Sequence, residues 1–158
     1  MSGSSLASAT NQRLDAARRM LAQSQQGEEA WLASSFESSA LFQLRSALNG
    51  LLQEVMSSYS LKCNLSVNEM LVAAKAKDIS IPVLNELELL VSNTNSWLSQ
   101  LNSAYSIAFE CKPNVGASSF GSGVELIGKG SDSGASTKHI LDSLVEIVLR
   151  FREDSAEY

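Results

Sequence analysis

The sequence predicts an all-α protein, an antiparallel four-helix bundle with one short connecting helix. Apolar residues recur at steps of three and four along most of the chain, which places them on one face of each helix. Alternation with a period of two, which indicates a strand, is almost absent. The 158 residues fit one core, because single cores usually take roughly 100–200 residues. We therefore expect a single helical domain over residues 1–158.

The first two helices are predicted over Ser8–Gln25, after a flexible N-terminus at residues 1–7, and over Glu28–Tyr59. The second helix carries the strongest apolar stripe of the sequence, which consists of Leu41, Leu44, Leu48, Leu51, Leu52, Val55 and Tyr59. Gly50 stands inside this helix, where glycine costs up to about 1 kcal/mol relative to alanine. A close crossing of two helices at this glycine would explain the choice of residue.

Two further helices are predicted in the middle of the chain. Ser66 and Glu69 have the spacing of a capping box, with the serine as N-cap and the glutamate reaching back to it, at the start of a short third helix, Val67–Ala76. A proline suits the first turn of the fourth helix, Pro82–Glu110. The segment 93–96 has low helix propensity and could kink this helix. Its apolar stripe passes through without a change of phase, so we predict one helix.

The last part of the chain is predicted to contain a long loop and one more helix. Residues 112–136 are rich in glycine and serine, and a loop of this length in a compact domain is usually functional or mobile. The last helix is expected over Thr137–Glu153. Residues 153–158 form an acidic end that we expect to fray.

The composition excludes several classes of function. The formal net charge is −5, which argues against nucleic-acid binding and against binding to anionic membranes. No apolar run approaches the roughly 20 residues of a membrane span. Cys63 and Cys111 are far apart, form no CxxC motif and follow no signal peptide, so reduced thiols and a cytoplasmic location are expected.

The segment Gly123–Lys129 matches the phosphate-loop pattern G-x-x-x-x-G-K, but its context does not fit. A phosphate loop needs a serine or threonine next, and this chain has Gly130 there. The pattern also lacks a preceding strand. We interpret the segment as a loop patch that packs on the bundle through its apolar residues.

Metal and catalytic chemistry find no support either. His139 is the one histidine in the sequence, and it shares a helix face with Asp142, Glu146 and Arg150. This face lies opposite the apolar residues of the last helix, so a solvated face with a Glu146–Arg150 pair is favoured over a metal site. No cofactor, metal or catalytic site is predicted.

One polar pair is predicted within the bundle. Arg13 falls on the apolar side of the first helix, and Glu37 falls in line with the apolar stripe of the second. An antiparallel hairpin of these helices would bring the two to similar heights, where a half-buried ion pair would fix the register. The alternative is that both side chains extend to the solvated rim.

Two classes of function stay open. The first is a non-catalytic interaction or structural module, which includes a homodimer, because Trp31, Leu32 and Phe36 lie off the main stripe and only 18% of residues are charged. The second is a small-ligand binder or enzyme with a pocket under the 113–136 loop. Its polar contributors would be Tyr105, Lys129 and His139.

Several segments resemble a known family. They are Thr10–Leu14, Ala40–Leu51, Glu54, Tyr59–Leu61 and Ser96–Leu98. In these segments the chain is similar to a family of small uncharacterised gammaproteobacterial helical proteins, a domain of unknown function. The resemblance covers the first two thirds of the chain. It implies a bacterial source and a helical fold, and it implies no activity and no site residues.

Overall fold

The computed structural model describes residues 2–26, 29–113 and 123–156, with the side chains of 6–26, 29–113 and 136–156. Over these ranges the chain forms helices and no strand, which confirms the all-α class. The six helices are α1 (Ser2–Gln26), α2 (Ala30–Ser58), α3 (Val67–Ala76), α4 (Pro82–Ser92), α5 (Trp97–Phe109) and α6 (Gly123–Ala156). None of the helices described is long and apolar enough to cross a membrane.

Helices α1 and α2 form an antiparallel pair, and this pair has the most extensive contact in the fold. A Cβ atom added at Gly50 would lie 2.5 Å from Oγ1 of Thr10, while Arg13 donates to Oε1 of Gln43 at 3.1 Å. The later residue of α1 therefore contacts the earlier residue of α2, as in an antiparallel pair. The close crossing expected at Gly50 is confirmed, and the side chain it accommodates is Thr10.

One hydrophobic core joins all six helices. Helix α2 contacts α1, α5 and α6, and α6 also contacts α1 and α5. The predicted stripe of α2 is buried from Leu44 to Val55. It meets Leu98 and Leu101 of α5 and the buried side chains of α6, which are Ile140, Leu141, Leu144, Ile147, Val148 and Phe151. Helix α3 packs on α4, and α4 packs on α5.

The predicted single helix Pro82–Glu110 is wrong, because the chain forms two helices there. The hydroxyl of Ser96 accepts from the backbone N–H of Ser99 and so caps the start of α5. The hydroxyls of Ser96 and Ser99 also donate to the carbonyl oxygen of Leu90 at the end of α4. Serine and asparagine side chains compete in this way with helical hydrogen bonds. The stripe kept its phase across the break, and periodicity alone therefore did not reveal it.

The predicted long loop and last helix also need correction. Helix α6 begins at Gly123 rather than Thr137, so the loop prediction is wrong for residues 123–136, and residues 114–122 lie outside the described part. Extending an existing helix costs less than starting one, which offsets the poor propensity of its glycines. The start of the first helix and the end of the last helix also differ from the predicted bounds. Helix α1 already begins at Ser2, and α6 continues to Ala156.

The start of α3 follows the predicted capping box in one half. Ser66 is the N-cap, and its hydroxyl accepts from the backbone N–H of Glu69 at 3.5 Å. The Glu69 carboxylate accepts from Asn64 at 3.0 Å rather than reaching back to Ser66. At the other end of α3, Lys77 donates to the carbonyl oxygens that follow α2, those of Tyr59 and Ser60. This lysine thus satisfies acceptors at a helix C-terminus.

Candidate interaction surface

Three aromatic side chains form a groove on the surface between α2 and α5. Phe42 of α2 lies against Tyr105 of α5, with ring centroids 6.3 Å apart and an interplanar angle of 39°. Tyr105 stacks on Phe109, one turn further along α5, at 5.5 Å and 16°. The four-residue spacing of Tyr105 and Phe109 places both rings on one helix face. Phe42 is 48% exposed and Phe109 is 72% exposed, so much of this apolar surface faces water.

The groove is small and uncharged. Its volume is about 260 Å³, and its remaining lining comes from Leu41, Ala108 and the serines Ser38 and Ser39. Small-molecule sites usually measure about 300–1,000 Å³ and enclose most of their ligand. The size and the apolar lining of this groove suit a single aromatic or aliphatic side chain from another protein.

Trp31 lies on the first turn of α2 and is 66% exposed. Its indole N–H donates to the carboxylate of Glu29, the residue that precedes the helix. Leu32 and Phe36, the other two residues of the predicted interface, are half-buried. The end of α2 therefore presents one large aromatic side chain to solvent, while the other two pack partly against the protein.

Trp31 and Phe42 lie on the same exposed line of α2. Between them, Ser35 and Ser38 are also exposed, and the four residues follow at steps of four, three and four. This spacing places all four on one helix face. We call these four residues the α2 stripe. It contains two aromatic residues, two serines and no charge.

Arg45 lies on α2, three residues beyond the stripe. Its side chain is half-buried and near Tyr105 of α5. Burial lowers the pKa of Arg45, and the nearby Tyr105 partly opposes this shift. The guanidinium donates to the neutral Oδ1 of Asn49 at 2.8 Å. Within the described ranges no carboxylate lies within 4.0 Å of it. Arg45 is thus a partly desolvated cation whose partner in this structure is an amide.

A buried ion pair that the sequence did not reveal joins α6 to the first two helices. Arg152 donates from Nε to Oε1 of Glu54 at 2.9 Å and from Nη2 to Oε2 at 3.1 Å. It also donates to Asn11 at 2.9 Å and to the carbonyl oxygen of Ala7 at 3.3 Å. The Glu54 side chain is 7% exposed and that of Arg152 is 25% exposed. The site is satisfied internally, so its role is structural.

The other predicted polar residues are placed as follows. Arg13 donates to Gln43, and its ion pair with the half-buried Glu37 stays a prediction. Tyr105 lies in the aromatic groove, whereas His139 is exposed on α6. The side chain of Lys129 lies outside the described part. The pocket that these last three residues were expected to form stays a prediction.

The solvated face of α6 carries the expected surface pair and a second pair. Arg150 lies 3.5 Å from Glu146, as predicted, and Lys138 lies 3.1 Å from Asp142. Arg150 also holds Glu86 of α4 through two hydrogen bonds of 2.9 Å, and these bonds lower the pKa of Glu86. Among the described residues no three His, Cys, Asp or Glu side chains come together as metal ligands.

These features define a helical protein with a packed core, a buried Arg–Glu pair and an exposed aromatic surface. The model of a family of unknown function (DUF6586) matches residues 1–158, so the chain belongs to that family. The sequence-based assignment to a domain of unknown function is thereby confirmed. No curated protein and no solved structure gives a significant match.

Proposed function

We propose that this chain is a non-catalytic helical module that binds protein, and that the partner is a second copy of the same chain. The observation that carries the proposal is the aromatic surface of α2 and α5. Trp31, Phe42 and Phe109 are each about half exposed or more. Phe42 and Phe109 line the groove, and the spacing of Trp31 from Phe42 places both on one face of α2. Aromatic residues are enriched, and charged residues are depleted, in the cores of protein interfaces.

A second copy suits this surface because the surface is uncharged. The chain has a formal net charge of −5, so two copies repel each other wherever acidic faces meet. The α2 stripe and the groove lining contain no ionisable side chain except the Tyr105 phenol. This part of the surface therefore brings two copies together without placing like charges in contact.

We further propose that α1, α2, α5 and α6 form an antiparallel four-helix bundle, which serves as the rigid support of this surface. The proposal is supported by the antiparallel pairing of α1 and α2 and by the shared core. It also agrees with the contact of Phe42 with Tyr105 near the end of α5. A rigid support lowers the entropy cost of binding, because little of the interface must be ordered.

A reducing compartment such as the cytoplasm is the setting that we propose. Cys63, which is half-buried, and Cys111, which is exposed, are both free thiols. Free exposed thiols are typical of reducing compartments.

Sedimentation velocity over a dilution series tests the proposal. We expect the wild-type chain to form a dimer that dissociates on dilution. Replacing Trp31, which is 66% exposed, with alanine should raise the dissociation constant at least about 30-fold, as for an interface hot spot. Leu89→Ala is the matched control, because Leu89 is 71% exposed on α4, belongs neither to the α2 stripe nor to the groove lining, and should have no effect. A strictly monomeric wild type, or equal effects of the two variants, would overturn the proposal.

A further inference from the structure

We infer that the two copies pair through their α2 stripes in antiparallel orientation, with Trp31 of each copy against Phe42 of the other and Glu29 of each copy paired with Arg45 of the other. This inference rests on the proposed homodimer and adds to it the register, the orientation and the charge pair. Three observations support it: the order of residue sizes along the stripe, the shape of the groove and the charges at its two ends.

The order of residue sizes along the α2 stripe is the same from either end. The outer members, Trp31 and Phe42, are large and aromatic, and the inner members, Ser35 and Ser38, are small. A two-fold interface is self-complementary, so that when residue i contacts residue j of the partner, j also contacts i. An antiparallel pairing that sets Trp31 opposite the partner's Phe42 sets Ser35 opposite the partner's Ser38. Small residues at the centre let the helix axes approach closely.

The groove provides the site for the tryptophan. Trp31 is 66% exposed, and Phe42 and Phe109 border an apolar groove of about 260 Å³. Phe42 lies about 16 Å from Trp31 along the same helix, since a helix rises about 1.5 Å per residue. Trp31 therefore cannot fill the groove beside Phe42 of its own helix. The antiparallel pairing places the indole of one copy over the groove of the other, at both ends of the interface.

The same register brings opposite charges together. Glu29 stands two residues before Trp31 and contacts its indole, and Arg45 stands three residues after Phe42. Within one copy Glu29 and Arg45 are about 24 Å apart along the helix and cannot pair. In the antiparallel pair each Glu29 reaches the partner's Arg45, which supplies the carboxylate that this guanidinium lacks among the described residues. A parallel pair would instead set glutamate against glutamate and arginine against arginine.

Charge reversal at these two positions tests the inference. Glu29→Lys and Arg45→Glu should each weaken the wild-type dimer at least about tenfold, because each creates two like-charge contacts. An equimolar mixture of the two variants should recover the wild-type dissociation constant to within about threefold, since in the mixed dimer both contacts are attractive again. Glu69→Lys and Arg19→Glu, on α3 and α1, are the matched controls and should leave dimerisation unchanged.

A second measurement covers the case in which Arg45→Glu does not fold. Gln53, an exposed residue of α2, is the labelling site. In a Cys63→Ser/Cys111→Ser variant that also carries Gln53→Cys, spin labels on this position should lie about 50 Å apart in the antiparallel dimer. A parallel pair would bring the labels to within about 20 Å of each other, because the axial offset is then zero.

The outcomes separate the two claims. A dimer that Trp31→Ala weakens, but whose charge variants are not rescued by mixing or whose labels lie close together, overturns the antiparallel pairing and leaves the proposed function standing. A wild type that stays monomeric overturns both.

Discussion

Replacing Arg152 with methionine removes four hydrogen bonds and leaves the carboxylate of Glu54 buried without its cation. Two of these bonds go to Glu54, one to Asn11 and one to the carbonyl oxygen of Ala7. They join α6 to both helices of the first pair. Methionine keeps much of the apolar stem of the arginine, so the loss is mainly electrostatic. We expect the variant to fold and to be markedly less stable.

The size of the effect follows from burial. Removing one partner of a buried ion pair costs about 3–5 kcal/mol, because the other charge stays desolvated. Glu54 is 7% exposed and Arg152 is 25% exposed, which places this pair at the lower end, about 3 kcal/mol. For a chain of this size, 1 kcal/mol changes the melting temperature by about 2–4 °C. Arg152→Met should therefore lower the melting temperature by about 6–12 °C.

Urea unfolding at pH 7, followed by circular dichroism, measures this loss. Arg150→Met is the control, since Arg150 lies two residues earlier, is 49% exposed and should cost less than about 1 kcal/mol. A Glu54→Leu/Arg152→Met variant should recover most of the stability, because a matched apolar pair can replace a buried ion pair. An Arg152→Met variant within about 1 kcal/mol of wild type, or a double variant less stable than the single one, would contradict a stabilising buried ion pair.

Three further predictions concern stability. Gly50→Ala should destabilise the protein by about 1–3 kcal/mol, although alanine has the better helix propensity. The reason is that the new Cβ would lie 2.5 Å from Oγ1 and 3.1 Å from Cβ of Thr10. In chemical denaturation, an additional Thr10→Ala change should restore part of the lost stability. Ser96→Ala should cost about 1–2 kcal/mol in thermal unfolding through loss of the α5 cap, and no change in melting temperature would contradict the cap. Arg150 lowers the pKa of Glu86, so this pair adds stability above the usual glutamate pKa and loses it as the pH falls through the lowered value. Glu86→Gln should be less stable than wild type by less than about 1 kcal/mol at pH 7, because solvent screens the partly exposed pair, and a melting series should show this difference shrinking as the pH is lowered.

Local pattern predicted most of the fold. The stripes of α1, α2 and α6 were readable because core residues recur with the helical period, and Gly50 was readable as a crossing because a mid-helix glycine is costly. The break between α4 and α5 was not readable from the stripe. The break depends on the hydroxyls of Ser96 and Ser99, which hydrogen-bond to the backbone of neighbouring turns. The periodicity of the apolar residues is equally compatible with one uninterrupted helix.

The exposed aromatic surface was predictable in part. Trp31 was identified because it lies off the main stripe of α2. Phe42 gives the same signal, since its neighbours Leu41 and Leu44 belong to that stripe and it does not, while Tyr105 and Phe109 stand at i,i+4. That these aromatic residues meet depends on how α5 packs against α2, which no local pattern determines.

The buried ion pair was out of reach for a similar reason. Glu54 and Arg152 are 98 residues apart in sequence, and each one alone resembles an ordinary charged residue at a helix end. The sequence instead paired Arg13 with Glu37 by register. The hydrogen bond that the structure shows for Arg13 goes instead to Gln43, six residues further along α2.

The proposed homodimer forms through the exposed face of α2. Sedimentation equilibrium of the wild-type chain at concentrations from about 1 to 100 μM tests this dimer directly. A dissociation constant of about 1 μM corresponds to a binding free energy of about −8.2 kcal/mol. One chain has a mass of 17.0 kDa, so we expect a limiting mass of twice that value that falls towards 17.0 kDa on dilution. We also expect Trp31→Ala to move the transition to higher concentration. A mass of 17.0 kDa at every concentration would contradict the homodimer.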